Sequence, residues 1–106
     1  MLLHTVNKSV FDNSALGDCL QVVSANDAVL LIENGVYAAL NSSPIESAHR
    51  QSIKQLSANG TRFYVLQADC AARGLEPSAL LPLFDITDDI GFVALAAEAV
   101  AIQSWY

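Results

Sequence analysis

The segment that most constrains the fold of this chain is a run of five apolar residues at positions 28–32, Ala-Val-Leu-Leu-Ile. The run has the length of a strand, and it lacks the polar residue at every second position that a half-exposed strand carries. An unbroken apolar strand is typical of a parallel sheet whose two faces are both covered. We therefore expect residues 28–32 to form a strand that is buried on both faces.

Segments that predict strands and segments that predict helices alternate along the chain. Strands are predicted over residues 2–6, 28–32, 62–66, 83–86 and 102–106, and helices over residues 15–23, 44–57, 69–73 and 88–100, with one or two helical turns over 36–40. Residues 11–14 offer N-caps for the first helix, and Pro44 lies at an early helical position, where its missing N–H costs little. This alternation indicates an α/β fold with right-handed crossovers over a mainly parallel sheet of about five strands.

The composition predicts one domain, over residues 1–106, with partners. The chain has 106 residues, which at about 150 residues per domain leaves no room for a second one. A chain of this size buries roughly 65% of its unfolded surface, so it can form a real core. Its hydrophobic share of 53% exceeds the ~45–50% of an average globular protein. We therefore expect part of its surface to be buried against partner subunits.

Several protein classes are excluded by what the sequence lacks. No apolar run approaches the ~20 residues of a membrane span, and the N-terminus has no basic region followed by a long apolar segment. Two cysteines are too few for a disulfide scaffold or a zinc site, so we expect no metal and a cytoplasmic location. The net charge of −6 argues against nucleic-acid binding. No phosphate-binding glycine motif is present, so we expect no nucleotide cofactor.

Ligand sites in open α/β sheets lie at the carboxyl ends of the strands. Three predicted strand ends carry polar residues: Asn-Lys-Ser at 7–9, Glu-Asn-Gly at 33–35, and Gln-Ala-Asp-Cys at 67–70. We expect these segments to lie at one edge of the sheet, although none has the pattern of a recognised phosphate loop.

Cys19 is the first candidate for a reactive group. It lies in the predicted first helix, three residues after Leu16 and four before Val23, at the edge of the apolar face. Burial as a small apolar side chain is one interpretation. The other is an accessible thiol that acts as a nucleophile or carries a persulfide, which needs a nearby cation or helix N-terminus. Lys8 is the nearest candidate cation.

The second cysteine, Cys70, lies near the start of a predicted short helix, where backbone N–H groups favour a thiolate. It follows Asp69, whose negative charge opposes that effect. We therefore interpret Cys70 as a buried core residue.

The other chemistry-bearing residues have structural interpretations. We expect His4, inside an apolar strand, to be a hydrogen-bonded core or interface residue, and His49, on a polar helix, to be solvated. Asp85, Asp88 and Asp89 could suggest a divalent ion, but acidic residues in a first helical turn ordinarily interact with the helix dipole. The spacings predict neither a Ser-His-Asp triad nor a pair of catalytic carboxylates.

Several short segments occur in an order that is similar to one protein family. These are residues 3–9 with Phe11, 30–39 (LLIENGVYAA), 64–66 (YVL), Asp69, 72–75 (ARGL), 92–93 (FV) and 103–105 (QSW). Residues 30–39 resemble the family's central segment, LL-x-(E/D/Q)-(D/N)-G-(V/I)-x-A-A. The chain thus resembles, over nearly its whole length, the small sulfur-relay subunits called DsrH in sulfur oxidisers and TusB in tRNA thiolation.

The resemblance implies a single-domain DsrE-like three-layer sandwich and a place in a hetero-hexamer-type complex with two related DsrE-like subunits. Such complexes pass persulfide sulfur between cysteines in the cytoplasm and on to a downstream sulfur-carrier protein. They need no metal or cofactor, because a thiolate that attacks the outer sulfur of a donor persulfide is sufficient. The principal active cysteine of the complex is implied to lie on a partner subunit.

The resemblance also bears on Cys19. DsrH-type members carry a cysteine in the first helix, whereas TusB-type members can lack it, so Cys19 favours a DsrH-like subunit of dissimilatory sulfur oxidation with Cys19 as sulfur-accepting thiol. The alternatives are a TusB-like subunit of the relay that thiolates the wobble uridine of tRNA, and a non-catalytic structural subunit. A hypothesis from another class is a self-associating domain that binds a small anion at its strand ends, which the missing phosphate loop disfavours.

Overall fold

The structure is a computed structural model that describes residues 1–11, 13–41 and 47–106. Its elements, in chain order, are β1 (Leu2–Val6), α1 (Ala15–Val22), β2 (Ala28–Leu31), a 3₁₀ helix (Glu33–Ala39), α2 (Ser47–Ala58), β3 (Arg62–Leu66), α3 (Gln67–Ala72), a short 3₁₀ helix (Pro77–Ala79), β4 (Asp85–Thr87), α4 (Asp89–Glu98) and β5 (Ala101–Trp105). The expected α/β alternation is confirmed, and the predicted helix start at Pro44 lies outside the described residues.

The five strands form one sheet in the order β4-β3-β2-β1-β5. Every pair of neighbouring strands is parallel, which confirms the expected parallel sheet. β2 lies at the centre, and all four of its residues are buried. The first and last strands of the chain, β1 and β5, are neighbours, so β5 forms one edge of the sheet and β4 the other.

The central strand is apolar throughout because it contributes to two separate cores. Val29 and Leu31 pack into the larger core, on the side of α1 and the 3₁₀ helix Glu33–Ala39. Ala28 and Leu30 pack into a smaller core on the other side, where Leu95 of α4 is buried. The sheet therefore separates two layers of helices, which gives the expected three-layer sandwich. No helix in the part of the chain that the structure describes is both long enough and apolar enough to span a membrane.

Several element ends differ from the predicted ones for local reasons. The fourth strand begins at Asp85 instead of residue 83, because Phe84 turns into the larger core, where its ring packs edge-to-face on Phe63 with centroids 6.0 Å apart. α4 ends at Glu98 rather than at residue 100, since the N–H of Val100 already donates to the carbonyl of Met1 and leads into β5.

The N-terminus of α1 is capped by Asn13, one of the candidate caps predicted at residues 11–14. The N–H of Ala15 donates to the side-chain oxygen of Asn13 at 2.8 Å, whereas Ser14, the residue at the N-cap position, makes no capping bond to the backbone. Its hydroxyl donates to the carboxylate of Asp18 at 3.1 Å. Asp12, which was also a candidate cap, lies outside the described residues.

Gly35 lies where the chain crosses the carboxyl end of β1. The N–H of Ile32 donates to the carbonyl of Val6 at 3.0 Å, and the N–H of Gly35 donates to the carbonyl of Ile32 at 2.8 Å. A Cβ atom at position 35 would overlap the carbonyl oxygen of Val6. Only glycine permits this close approach of two backbone segments.

We expect Gly35→Ala to lower the free energy of unfolding by about 1–3 kcal/mol, because the added carbon forces two backbone segments apart. Gly17→Ala is the matched control. A Cβ there lies 3.1 Å from a ring atom of the partly exposed His49, and alanine is the better helix former. Urea unfolding followed by circular dichroism measures both variants. If Gly35→Ala unfolds at the wild-type urea concentration, the inferred close approach is wrong.

Candidate functional site

The thiol of Cys19 lies in the larger core. The residue is on α1, on the side that faces the sheet, and is fully buried. Burial, and secondarily the negative charge of Asp27, raises the pKa of the Cys19 thiol to about 12. The charge that acts on this thiol is thus negative, not the positive charge of Lys8 that the sequence suggested. Its surroundings are those of a packed core cysteine.

Cys70 is likewise buried, at 4% exposure, on α3. Burial raises the pKa of its thiol, the charge of Asp69 adds to that effect, and the charge of Arg73 opposes it. Cys70 lines a cavity of about 280 Å³ between α3 and β4, together with Leu80 and Ile86. The interpretation of Cys70 as a core residue agrees with this position.

Two of the three predicted strand-end segments meet, as expected from a parallel sheet. The backbone N–H of Glu33 donates to the carboxylate of Asp69 at 2.6 Å. Arg73 joins the same pair of segments: its Nε donates to the side-chain oxygen of Asn34 at 3.0 Å, and its guanidinium donates to the carbonyl of Asp69 at 3.1 Å. Glu33, whose N–H makes this bond to Asp69, holds a positive φ of 50°.

The polar groups of Glu33, Asn34, Asp69 and Arg73, which form this strand-end cluster, are hydrogen-bonded or paired with one another. The carboxylate of Asp69 accepts the N–H of Glu33 and lies 3.9 Å from the guanidinium of Arg73. The charges and donors that an anionic ligand would need are therefore already engaged within the protein. The arrangement fixes the loop after β2 against α3. The sequence indicated both segments but gave no sign that Arg73 would connect them.

The third predicted strand-end segment, residues 7–9, contains one buried polar atom without a hydrogen-bond partner among the described residues. The N–H of Asn7 points at the carbonyl of Trp105 at 3.5 Å, and its side-chain oxygen is buried with no hydrogen-bond partner among the described residues. Ser9 accepts the N–H of Phe11 at 3.1 Å, which closes the turn after β1. The N–H of Ile32 donates to the carbonyl of Val6, the residue before Asn7, so this segment lies at the same edge of the sheet as residues 33–35, as predicted.

His4 is hydrogen-bonded at both ring nitrogens, which confirms the prediction of a hydrogen-bonded core residue. Its side chain is 1% exposed. The indole N–H of Trp105 donates to its Nδ1 at 3.1 Å, so its Nε2 carries the proton and donates to the carboxylate of Asp27 at 3.1 Å. The imidazole on β1 is thereby connected to β5, through Trp105, and to the residue before β2, Asp27.

Asp27 links the side chain of His4 to two backbone N–H groups. Its carboxylate also accepts the N–H of Leu2 and that of Ser24, each at 3.0 Å. Burial by itself would raise the pKa of this carboxyl, but these two N–H groups and the His4 side chain outweigh it and hold the pKa below its ordinary value of 3.8. The sequence analysis did not identify Asp27 and Trp105 as partners of His4. The signal that could have found them is a histidine in an apolar strand, because both of its ring nitrogens need hydrogen-bond partners.

Of the acidic residues around β4, Asp88 and Asp89 lie at the start of α4 as expected, whereas Asp85 is an exposed residue of the strand itself. The side chain of Asp88 accepts the N–H of Gly91 at 2.9 Å and caps α4. Within residues 1–11, 13–41 and 47–106, no three His, Cys, Asp or Glu side chains are grouped closely enough to hold a metal ion. His49 is half-buried against Gly17 of α1, so it is less solvated than its polar helix suggested.

Comparison with known proteins agrees with this architecture. The family model described as DsrH like protein matches residues 8–101. The chain is 34% identical over 107 residues to Protein TusB of Erwinia tasmaniensis, covering 98% of this chain and 100% of the relative. It is 32% identical over 106 residues to Protein TusB of Pectobacterium parmentieri, with 98% and 100% covered.

Two solved structures share the fold. The ychN protein from E. coli superposes with a TM-score of 0.79 at 16% identity, over 98% of this chain and 97% of that one. A protein of unknown function, MTH1491 from Methanobacterium thermoautotrophicum, superposes with a TM-score of 0.69 at 15% identity, over 96% of each chain. At such low identity these structures show the fold alone.

The buried carboxylate makes stability depend on pH in a defined direction. Because folding lowers the pKa of Asp27 below 3.8, the carboxylate stabilises the fold above that pH and loses its contribution as the pH falls through the folded-state value. We expect Asp27→Asn to lower the free energy of unfolding by about 1–3 kcal/mol at pH 7 and by less at pH 3. Urea unfolding at both pH values measures this difference.

Asp85→Asn, which changes an exposed carboxylate on β4, is the control for the loss of one negative charge. It should leave the free energy of unfolding within about 0.5 kcal/mol of wild type at pH 7. An equal loss in Asp27→Asn at pH 7 and pH 3 would contradict the assigned role of Asp27.

Proposed function

This chain belongs to the DsrH-like family, and we propose that it is a TusB-like subunit of a cytoplasmic hetero-oligomeric sulfur relay that serves 2-thiolation of the wobble uridine in tRNA. The observation that carries the proposal is the similarity to two TusB proteins over 98% of the chain. It favours this branch over the dissimilatory sulfur oxidation that Cys19 suggested.

The chemistry of such a relay is simple. A thiolate attacks the outer sulfur of a donor persulfide, a new sulfur–sulfur bond forms, the old one breaks, and the donor leaves as a thiolate. The step is a transfer between two cysteines, so the attacking group must be ionised and accessible to the partner.

The setting of Cys19 supports a structural role for this subunit, with the active cysteine on a partner. Burial raises the pKa of the Cys19 thiol to about 12, so the thiol is protonated at pH 7 and is a poor nucleophile. Its sulfur is also fully buried, so a donor persulfide reaches it only after α1 moves away from the sheet. Cys19 as a persulfide carrier therefore stays an alternative within the proposed function.

The charge of the chain supports protein partners over direct contact with tRNA. Its net charge is −6, and no Lys or Arg follows Arg73. Binding to a phosphate backbone depends on clustered basic side chains. We propose that this subunit acts within the protein complex, and that a downstream carrier delivers the sulfur to the tRNA pathway.

Deletion of the gene for this chain in its own host tests the pathway. We expect 2-thiouridine in total tRNA, measured by mass spectrometry of nucleosides, to fall at least about tenfold, and the wild-type gene to restore it. Unchanged 2-thiouridine together with impaired sulfur oxidation would overturn the tRNA assignment in favour of the oxidation branch.

Cysteine variants test the role of this subunit. Cys19→Ala should restore 2-thiouridine to within about twofold of wild type, because sulfur passes through a partner's cysteine. Cys70→Ala is the matched control, a second buried cysteine that has no assigned role. Intact mass of the denatured, unreduced chain from the native complex supplies the direct measurement. An added mass of one sulfur that disappears in Cys19→Ala would show that Cys19 carries the persulfide.

A further inference from the structure

The sequence contains the dipeptide Asn-Gly twice, at residues 34–35 and 59–60. An asparagine followed by glycine is chemically labile, because glycine has no side chain to hinder the attack of its backbone nitrogen on the asparagine amide. The attack also requires that the fold leave both reacting groups free to meet. The two dipeptides share the same local chemistry, so the structure decides whether each of them reacts.

The dipeptide Asn34-Gly35 is held at both of its reacting groups. The backbone N–H of Gly35 donates to the carbonyl of Ile32 at 2.8 Å, and the side-chain oxygen of Asn34 accepts a hydrogen bond from Nε of Arg73 at 3.0 Å. Gly35 is also buried, in close contact with the carbonyl of Val6. The nitrogen of Gly35 therefore turns toward the Asn34 amide only if these contacts are broken.

The dipeptide Asn59-Gly60 lies in the turn between α2 and β3, and both of its residues are exposed. The side-chain amide of Asn59 has no hydrogen-bond partner among the residues that the structure describes. The N–H of Gly60, which holds a positive φ of 108°, donates to the carbonyl of Ser57 at 3.2 Å. This bond closes an exposed helix end, where backbone hydrogen bonds open at a low cost in free energy. The second dipeptide thus places an accessible nitrogen beside a free amide.

We propose that Asn59 is a site of spontaneous deamidation, and that the fold protects Asn34 from the same reaction. The backbone nitrogen of Gly60 loses its proton and bonds to Cγ of Asn59, the bond from Cγ to the side-chain nitrogen breaks, and that nitrogen takes up a proton and leaves as ammonia. Water then opens the resulting succinimide at either of its two carbonyls, which gives aspartate or isoaspartate. The reaction consumes only water, so it is independent of the proposed function.

The turn that this reaction alters is bonded to the segment before β2. The hydroxyl of Thr61 donates to the carbonyl of Ser24 at 3.0 Å, and the N–H of Arg62 donates to the carbonyl of Asp27 at 3.0 Å. Isoaspartate adds one carbon to the main chain at position 59 and therefore displaces this turn, whereas aspartate adds only a negative charge. We expect the isoaspartate form of the chain to be less stable than the aspartate form.

The test follows the full chain, purified from its own cells, during incubation at pH 8, with deamidation at each position measured by mass spectrometry of its peptides. In the folded chain we expect position 59 to deamidate at least about tenfold faster than position 34, because only the second dipeptide is free to react. In concentrated urea the two rates should agree within about threefold, since no fold then protects either position. Asn59→Ser is the control, which should remove the reaction at position 59 and leave the rate at position 34 unchanged.

The outcomes decide each step of the proposal. No deamidation at position 59 of the folded chain, or equal rates at positions 34 and 59, would overturn it. A rate ratio that is the same in urea as in the folded chain would show that the fold does not protect Asn34. Methylation by protein L-isoaspartyl methyltransferase identifies the isoaspartate form, which should unfold at a lower urea concentration than the variant Asn59→Asp. Equal unfolding of the two would overturn the inferred displacement of the turn.

Discussion

The burial of β2 on both faces is the constraint on which the rest of the structure depends. A parallel strand at the centre of a sheet cannot have one face in water, so each face needs a layer of its own. The chain provides a thick layer around α1 and a thin one made by α4. The outer side of α4, in the thin layer, is left exposed. An apolar exposed helix is thus the direct result of placing a five-stranded sheet in a chain of 106 residues.

A second constraint is a buried polar side chain, that of His4, on the side of the larger core. His4 occupies the position in β1 that faces this core, and an imidazole in such a place must have both nitrogens satisfied. Trp105 satisfies one and Asp27 the other, at 3.1 Å each. Asp27 in turn holds the amide of Leu2 at the start of β1 and that of Ser24 before β2. This series of hydrogen bonds resembles a catalytic relay. It ends, however, at the indole of Trp105 and at the backbone N–H groups of Leu2 and Ser24, so it holds the strands in register.

The sequence predicted most of the fold because its strongest signals are local. The run at 28–32 was identified from its apolar continuity, and β3 has the bounds predicted for the strand at 62–66. The fourth strand was misplaced by two residues because Phe84 looks like a strand residue but packs on Phe63, a contact distant in sequence. For the site, His4 and Cys70 were interpreted correctly from their surroundings. Asp27, Trp105 and Arg73 were missed because their partners come from other parts of the chain, and no local pattern reports such contacts.

The pairing of β1 with β5 also has a consequence for the order in which the protein can fold. The bond between His4 and Trp105 joins residues that are 101 positions apart, so the imidazole gains its second partner only after residue 105 has been synthesised. Until then β1 is an open edge, with unpaired backbone groups and an unsatisfied ring nitrogen. Contacts of such long separation also slow folding, because a large loop must close before they form. A chain that has not yet paired β5 with β1 therefore exposes a strand edge at which a neighbouring chain can pair.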